Sequence, residues 1–310
     1  MGVILPSGEQ IEIAFGDQEA TIVGVGAGLR TYSVGGRDLL DGYAADQAST
    51  SGRGQVLIPW PNRLEDGTYE FDGHRHQLPL TEPELGNAIH GLVRWETWTV
   101  VERERDRVVL EHVLRPRPGF PFTLSLAIEY ALSERGLGVT TTATNSGREA
   151  CPFGSGQHPY LTVGTPTVDS VILRAPGRTV LEENERRLPV GRAPVEGTEY
   201  DFRRPRPIGD TKLDDAFTDL ERDAEGLALV ELRNPEGGGL TLWADESYGY
   251  LQLFTGDPLP DVSRRSLAVE PMTCPPNAFR NGEALIRLEP GETHTSAWGI
   301  APSTASSSAL

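Results

Sequence analysis

The chain has 310 residues, and its 28 Lys and Arg against 45 Asp and Glu give a formal net charge of −17. A field of that sign repels polyphosphate backbones and anionic lipid headgroups, so neither nucleic-acid nor membrane partners are expected. A hydrophobic fraction of 37% beside 24% charged residues is enough for a packed core and argues against a disordered chain.

Few features point to export or to a metal centre. The only cysteines, Cys151 and Cys274, form no CxxC pair, and His74 and His76 have no third ligand nearby in the sequence. No basic segment followed by an apolar run begins the chain, and no stretch of eighteen apolar residues occurs. We therefore expect a cytoplasmic protein that binds no metal.

Strand patterns occur along the whole chain. Alternating, β-branched and aromatic segments predict strands at 11–15, 20–25, 97–101, 138–144, 170–173, 228–232, 240–243, 250–255, 266–269 and 293–300. Residues 68–78 predict a hairpin, because Asp72-Gly73 tolerates the positive φ of a type I′ turn. Apolar residues alternate with polar ones over 122–130, and a similar pattern at 108–113 predicts a neighbouring strand in one sheet.

These patterns favour one all-β domain. No stretch combines a 3.6-residue apolar period with helix caps, so helices should be few and short. The polar, proline-rich segment 182–209 is expected to form a long loop. We predict a sandwich of two sheets over residues 1–302, followed by a flexible C-terminal tail at 303–310.

Two candidate site residues follow turn-forming segments in the first third of the chain. Arg63 ends the run Leu-Ile-Pro-Trp-Pro-Asn-Arg, where its guanidinium could hold sugar hydroxyls or could form a structural ion pair. His90 precedes Gly91 near two tryptophans, which suits a cavity lined by rings.

The remaining candidates lie in the second half. His158 follows Gly-Ser-Gly-Gln and precedes a proline, so its imidazole could be fixed there as a proton donor. Glu270 ends an apolar strand, and its position before Pro271 suggests that the ladder stops there. Desolvation there would strengthen Glu270 as a general base. Asp214 and Asp215 would point to opposite faces of a strand, unless they form a solvated acidic turn.

Taken in order, the segments Asn62-Arg63, His90-Gly91, His158-Pro-Tyr-Leu, Leu-Asp-Asp-Ala-Phe and Val-Glu-Pro resemble the aldose 1-epimerase (galactose mutarotase-like) family. The resemblance runs from about Gly8 to Ile300. It implies a single-domain β-supersandwich that interconverts the α and β anomers of a free hexose without a cofactor. It also implies Glu270 as general base, His158 as acid, and Arg63, His90 and Asp214 as substrate-binding residues. We expect a small sugar as the partner and a monomer or homodimer.

Two other functions remain open. An epimerase for hexose 6-phosphates could use Arg203, Arg204, Arg206 or the Arg264-Arg265 pair as a phosphate clamp, although the acidic surface disfavours it. A non-catalytic sugar-binding protein would keep the cleft and lose turnover. The family commonly has Asp-His where this chain has Asp214-Asp215, and Asn-His where it has Gln157-His158, which leaves the sugar undetermined.

Overall fold

The computed structural model describes residues 4–260 and 262–303, and the regular secondary structure of these residues is almost wholly β-strand. The strands are β1 Gln10–Phe15, β2 Gln18–Val23, β3 Leu29–Val34, β4 Arg37–Asp38, β5 Val56–Leu57, β6 Arg63–Glu65, β7 Thr68–Phe71, β8 His74–Gln77, β9 Asn87–Ile89, β10 Thr99–Arg103, β11 Arg107–Leu114, β12 Leu124–Ser133, β13 Gly136–Asn145, β14 Cys151–Phe153, β15 Gly156–Gln157, β16 Tyr160–Leu161, β17 Ile172–Arg174, β18 Thr179–Glu183, β19 Pro189–Pro194, β20 Arg206–Pro207, β21 Asp214–Thr218, β22 Ala228–Arg233, β23 Gly239–Ala244, β24 Tyr250–Phe254, β25 Leu267–Met272, β26 Ile286–Leu288 and β27 Thr293–Ser303. Within the described ranges the helices are a 3₁₀ turn at Val168–Ser170 and α1 at Ala278–Asn281. None of the helices described is long and apolar enough to cross a membrane.

Two large antiparallel sheets organise the molecule. The nine-stranded sheet has the order β10-β11-β12-β13-β27-β23-β22-β17-β20, and the eight-stranded sheet has the order β19-β18-β21-β24-β25-β15-β5 with β16 beside β25. A four-stranded sheet, β1 to β4, and the pairs β6-β9, β7-β8 and β14-β26 complete the fold. One cluster of buried apolar side chains includes residues from both large sheets, so they share a core. The prediction of an all-β sandwich with short helices is confirmed.

The centre of the nine-stranded sheet follows the sequence pattern closely. In β12, Leu124, Leu126, Ile128 and Tyr130 are buried, while the residues between them are partly exposed. β12 pairs with both β11 and β13 in unbroken antiparallel register. Because successive side chains point to opposite faces of a strand, the alternation buries one face of this sheet. The predicted pairing of 108–113 with 122–130 is therefore correct.

The predicted hairpin is also confirmed. β7 and β8 pair from Thr68 with Gln77 to Phe71 with His74. The two residues between the strands, Asp72 and Gly73, have φ values of 49° and 75°. Both values lie in the left-handed region, as a type I′ turn requires.

Three sequence predictions need correction at their boundaries. Residues 182–209 are not one long loop, because β19 pairs with β18 there and β20 pairs with β17. The strand predicted from Ser170 begins later, since Ser170 closes the 3₁₀ turn. β27 includes Ser303, one residue past the predicted end of the domain. The rest of the predicted tail, 304–310, lies outside the described residues.

The strand that carries Glu270 does not stop at Pro271 as the sequence suggested. β25 continues to Met272, and Pro271 lies opposite Leu251 of β24. The N–H groups of Val269 and Thr273 both point to the side of β25 away from β24, where they donate to the carbonyl oxygens of Pro159 and Ser155. The nitrogen of Pro271 faces that same side, at the gap between β15 and β16. A proline is tolerated because no regular ladder partner lies there.

Candidate functional site

A cavity of about 370 Å³ opens on the eight-stranded sheet and is lined by all five candidate site residues, Arg63, His90, His158, Asp214 and Glu270. Its volume lies at the lower end of the range for small-molecule sites, roughly 300–1,000 Å³. The five residues come from five separate segments of the chain. Their convergence is a property of the fold and not of any single segment.

Glu270 lies at the floor of the cavity. It is 2% exposed, in the middle of β25, opposite Gln252 of β24. Its Oε1 lies 3.4 Å from Nε2 of His158, and its Oε2 has no hydrogen-bond partner among the described residues. A buried carboxylate oxygen without a partner is costly unless something else satisfies it, which is typical of a functional site.

His158 lies in the short break between β15 and β16. Its N–H donates to the carbonyl of Gln55 at 3.1 Å, and its own carbonyl accepts from the N–H of Gly54 at 2.9 Å. The ring of His90 approaches the His158 ring at 5.4 Å and an interplanar angle of 75°. Backbone and ring contacts therefore fix an imidazole that is only 5% exposed.

Burial shifts the two groups in opposite directions. Loss of hydration, and then the nearby Asp214 carboxylate, raise the pKa of Glu270 well above its usual range, although Arg63 opposes this. Loss of hydration, and then the Arg94 cation, lower the pKa of His158 to about 3. A carboxylate with a raised pKa is a stronger base, and an imidazolium with a lowered pKa is a stronger acid. The pair is suited to moving protons.

Arg63 and His90 are brought together by the two-stranded pair β6-β9. The backbone N–H of Asn62 donates to Nδ1 of His90 at 3.2 Å, so Nε2 carries the proton of the neutral ring. Burial lowers the pKa of His90 well below its usual range and keeps the ring neutral. His90 can therefore donate one hydrogen bond into the cavity. A side chain at the next residue, Gly91, would place its Cβ 2.0 Å from the carbonyl oxygen of Ile58.

Arg63 combines the two interpretations that its sequence left open. Its Nε and Nη2 donate to the carboxylate of Glu82 at 2.9 to 3.1 Å, which is a bidentate ion pair. The same guanidinium lines the cavity. The ion pair fixes the orientation of the group, and the remaining donors can reach a ligand.

The two adjacent aspartates of strand β21 line different pockets. Asp214 lines this cavity, whereas Asp215 lines a different pocket. The Oδ1 of Asp214 accepts from Nε2 of Gln252 at 3.0 Å, and its Oδ2 lies 3.5 Å from Nη2 of Arg187. The expectation that only one carboxylate faces the cleft agrees with this geometry.

Three further residues of the cavity were not among the sequence candidates. Gln252 lies beside Glu270 and fixes Asp214. Arg94 also lines the cavity, and its guanidinium donates hydrogen bonds to uncharged oxygens of Gln55 and Ile89. Trp95 lies at the edge of the cavity and is 58% exposed. The proximity of Trp95 and Arg94 to His90 in the sequence was an available signal, but the register that places Gln252 was not. No group of three or more His, Cys, Asp or Glu side chains in residues 4–260 and 262–303 could hold a metal ion.

Comparison with known proteins identifies the family. The family model for aldose 1-epimerase matches residues 9–300. The uncharacterized protein YihR of Escherichia coli K12 is 36% identical over 93% of this chain and 91% of its own length. Galactose mutarotase of Homo sapiens is 28% identical over 55% of this chain and 50% of its own.

A solved structure agrees on the fold. The putative aldose 1-epimerase of Escherichia coli K12 superposes with a TM-score of 0.84 over 96% of this chain and 99% of its own, at 22% sequence identity. The match to the family model spans nearly the whole sequence, including every residue of the cavity described above. The chain belongs to the aldose 1-epimerase family.

Proposed function

We propose that this protein interconverts the α and β anomers of a free aldose by general acid–base catalysis. The observation that carries the proposal is the buried pair of His158 and Glu270, whose Nε2 and Oε1 lie 3.4 Å apart at the floor of a cavity with polar walls. The hydroxyl oxygen and the ring oxygen of a cyclic sugar are bonded to the same carbon. Two proton-transferring groups placed side by side can therefore reach both oxygens.

Ring opening needs one proton removed and one delivered. The carboxylate of Glu270 takes the proton of the C1 hydroxyl while protonated His158 gives a proton to the ring oxygen. The bond between C1 and the ring oxygen breaks, and an open-chain aldehyde forms. After rotation about the bond between C1 and C2, the hydroxyl formed from the ring oxygen attacks the other face of the aldehyde. This hydroxyl returns its proton to His158, and Glu270 returns its proton to the C1 oxygen.

The electrostatics of the site support this exchange. The pair needs one proton, which the two pKa shifts place on Glu270 at rest and which must move to His158, 3.4 Å away, before the ring opens. Burial raises the pKa of Glu270 and lowers that of His158, so both transfers during opening are favoured. The protonated Glu270 and neutral His158 that result are the forms required to close the ring.

The other cavity residues supply hydrogen bonds for the remaining hydroxyls. His90 offers one donor at Nε2, Arg63 offers guanidinium donors, and Asp214 offers carboxylate acceptors. Each is fixed by a protein partner, namely Asn62, Glu82 and Gln252 respectively. Prior fixation reduces the entropy lost when the sugar binds and orients its C1 toward the acid and base.

The direct test is polarimetry of freshly dissolved α-D-glucose and α-D-galactose, with and without the protein. We expect the optical rotation to reach equilibrium faster with the wild-type protein. The variant His158→Gln should give the same rate of change in optical rotation as buffer without protein, because glutamine has no titratable proton to deliver. Sugar binding by calorimetry without acceleration of any sugar would contradict the proposal and would favour a non-catalytic sugar-binding protein.

One observation favours an anionic sugar as a second candidate substrate. Arg94 donates to the side-chain oxygen of Gln55 at 3.3 Å and to the carbonyl of Ile89 at 3.4 Å, and no carboxylate among the described residues forms an ion pair with it. Its burial lowers the pKa of the guanidinium. An uncompensated cation in a binding cavity would be stabilised by a ligand phosphate or another anion.

The arginines that the sequence suggested for a phosphate clamp lie elsewhere. Arg203 pairs with Asp201 at 2.8 Å, and Arg265 pairs with Asp41 at 2.7 Å. Arg264 pairs with two aspartates, and the guanidinium of Arg206 covers the ring of Phe202. None of these arginines lines the cavity, and neither does Arg204. A phosphorylated sugar would therefore depend on Arg94.

Competition separates the two candidates. Glucose 6-phosphate should inhibit mutarotation of glucose more strongly than an equal concentration of a neutral hexose if Arg94 binds an anion. The variant Arg94→Met should abolish that preference, and the control Arg203→Met, outside the cavity, should leave it unchanged. Equal inhibition by charged and neutral sugars would exclude the anionic candidate.

A further inference from the structure

The ring of His158 is one layer in a stack of three planar groups. The ring of Tyr160 lies 5.0 Å from it with an interplanar angle of 11°. Tyr160 is also covered by the guanidinium of Arg53, whose central carbon lies 4.3 Å from the ring centroid. All three side chains are buried, yet neither Tyr160 nor Arg53 lines the cavity. Contact with the sugar therefore does not explain the stack.

Tyr160 and Arg53 are each held by a separate hydrogen bond. The hydroxyl of Tyr160 donates to the carbonyl oxygen of Ser51 at 2.8 Å. The Nη2 of Arg53 donates to Oδ2 of Asp41 at 3.2 Å. These bonds help to hold both groups in place, and the Tyr160 ring, packed nearly parallel to the imidazole, limits its rotation.

Asp41 anchors the stack to the strand of the proposed base. It accepts from Nε of Arg265 at 3.0 Å and from Oγ of Ser266 at 2.8 Å, next to the start of β25. Its carboxylate therefore keeps two donors when the guanidinium of Arg53 is removed. This makes Arg53 a position that can be changed without leaving a buried charge unpaired.

The remaining sides of the imidazole are closed by backbone and by a second ring. Gly52 has a φ of 74°, and a Cβ there would lie 2.4 Å from Cδ2 and 2.8 Å from Nε2 of His158. The ring of His90 meets the imidazole edge-on at 5.4 Å. Between Tyr160, His90 and the backbone of residue 52, the imidazole has little room to turn.

We propose that Arg53 and Tyr160 are positioning residues that hold the His158 ring in the one orientation that directs Nε2 at Glu270 and at the reacting oxygens. The proposal rests on the acid–base function proposed above. A displacement of about 1 Å in a reacting group can cost about 100-fold in rate. Loss of the stack should therefore lower kcat and leave KM nearly unchanged, because neither residue contacts the sugar.

Substitutions at Tyr160 separate positioning from structural support. Tyr160→Leu removes the ring, and we expect kcat to fall about 10- to 100-fold with KM within about two-fold. Tyr160→Phe keeps the ring and loses only the bond to Ser51, so its kcat should stay within about three-fold of the wild type. The matched control is Tyr32→Leu, at a fully buried tyrosine whose hydroxyl donates to Gln18. It should lower stability without lowering kcat.

Arg53→Met provides a second variant that retains the packing of the aliphatic stem. We expect kcat to fall about three- to ten-fold. The cations of Arg53 and Arg94 both lower the pKa of His158, so removing one should raise that pKa from about 3. The acidic limb of the rate profile should move to higher pH, a change that a purely structural role would not produce.

A readout that needs no turnover keeps the two proposals distinguishable. The six histidines can be followed by ¹⁵N NMR, with the His158 signal assigned by its loss in His158→Gln. We expect this signal to shift in Tyr160→Leu and to titrate at higher pH in Arg53→Met. Unchanged His158 signals in both variants would overturn the positioning role, whether or not the protein is active. Equal kcat in Tyr160→Leu, Tyr160→Phe and the wild type would overturn it as well.

Discussion

The two large sheets of this protein are built differently. In the nine-stranded sheet, β12 and β13 are ten residues long and pair without interruption. In the eight-stranded sheet, β5, β15 and β16 are two residues long, and the strand between β24 and β15 contains a proline. Long, regular strands bury one apolar face. Short, interrupted strands leave turns and backbone gaps, and the proposed catalytic groups lie at these gaps.

The buried residues differ in the same way. Ile128 at the centre of β12 is fully buried among apolar neighbours. Gln252 and Glu270, paired across β24 and β25, are just as deeply buried but polar. Burying polar groups costs stability unless they are bonded, so the cavity is the less stable part of the design. The nine-stranded sheet supplies the apolar burial that offsets this cost.

The largest effect that we expect from this contrast is on turnover. Glu270→Gln keeps the size of the side chain and removes the base, so kcat should fall about 1,000-fold while sugar binding changes little. Polarimetry and calorimetry measure the two quantities. The control is Glu129→Gln on β12, whose carboxylate bonds to Arg107 at the surface and should not affect the rate. Wild-type turnover in Glu270→Gln would refute its assignment as the base.

The converse change should affect stability alone. Ile128→Ala opens a cavity in the regular sheet and should lower the free energy of unfolding by about 2–5 kcal/mol. Urea denaturation measures the loss. At 25 °C the folded variant should retain the kcat and KM of the wild type. A large fall in kcat would show that the two sheets are coupled more closely than their construction suggests.

The regular sheet was also the more predictable one. Alternation over 122–130 predicted β12 and its neighbour, and Asp72-Gly73 predicted the turn of the hairpin, because both depend on local backbone preferences. Predictions were less accurate in the interrupted sheet. Pro271 was expected to end a strand, but whether a proline is tolerated depends on which neighbour its nitrogen faces. That information is not local.

The candidate site shows the same difference between local and non-local information. Arg63, His90, His158, Asp214 and Glu270 lie in short recognisable segments, and the fold brings all five to one cavity. Their partners were not predictable, because they depend on pairing across strands and on loops that close over the ring of the imidazole. Arg53 is an example, since only the three-dimensional arrangement shows its guanidinium over Tyr160.

Gln252 provides a test of such a partner. It donates to Asp214 at 3.0 Å, and Gln252→Leu should leave this carboxylate free to turn away from the sugar. Loss of a hydrogen bond to a charged group costs about 1.5–3 kcal/mol, so KM should rise about ten-fold or more. The rate at saturating sugar should change much less, because the acid and base remain. If instead kcat fell with KM unchanged, Gln252 would act on Glu270 rather than on binding.

The smallest expected effect is a gain in stability in Glu270→Gln, the substitution that removes the proposed base. The pKa of Glu270 is raised in the folded protein, so between its unfolded and folded pKa values the folded state binds more protons than the unfolded state. The contribution of Glu270 is therefore complete below the unfolded pKa and is lost as pH rises toward the folded value. Glutamine does not titrate and escapes this loss.

Glu270→Gln should consequently unfold at a higher temperature than the wild type, by an amount that grows as the pH rises from the unfolded pKa of Glu270 toward its raised folded value. A gain of about 1 kcal/mol is typical when a strained functional group is replaced, and in a chain of this size it corresponds to a Tm increase of about 2 °C. The lowered pKa of His158 acts in the opposite direction, since it reduces stability as pH falls. Because both proteins retain His158, the difference between their Tm values isolates Glu270. A difference independent of pH would mean that the carboxylate is not held in the desolvated environment from which its proposed basicity follows.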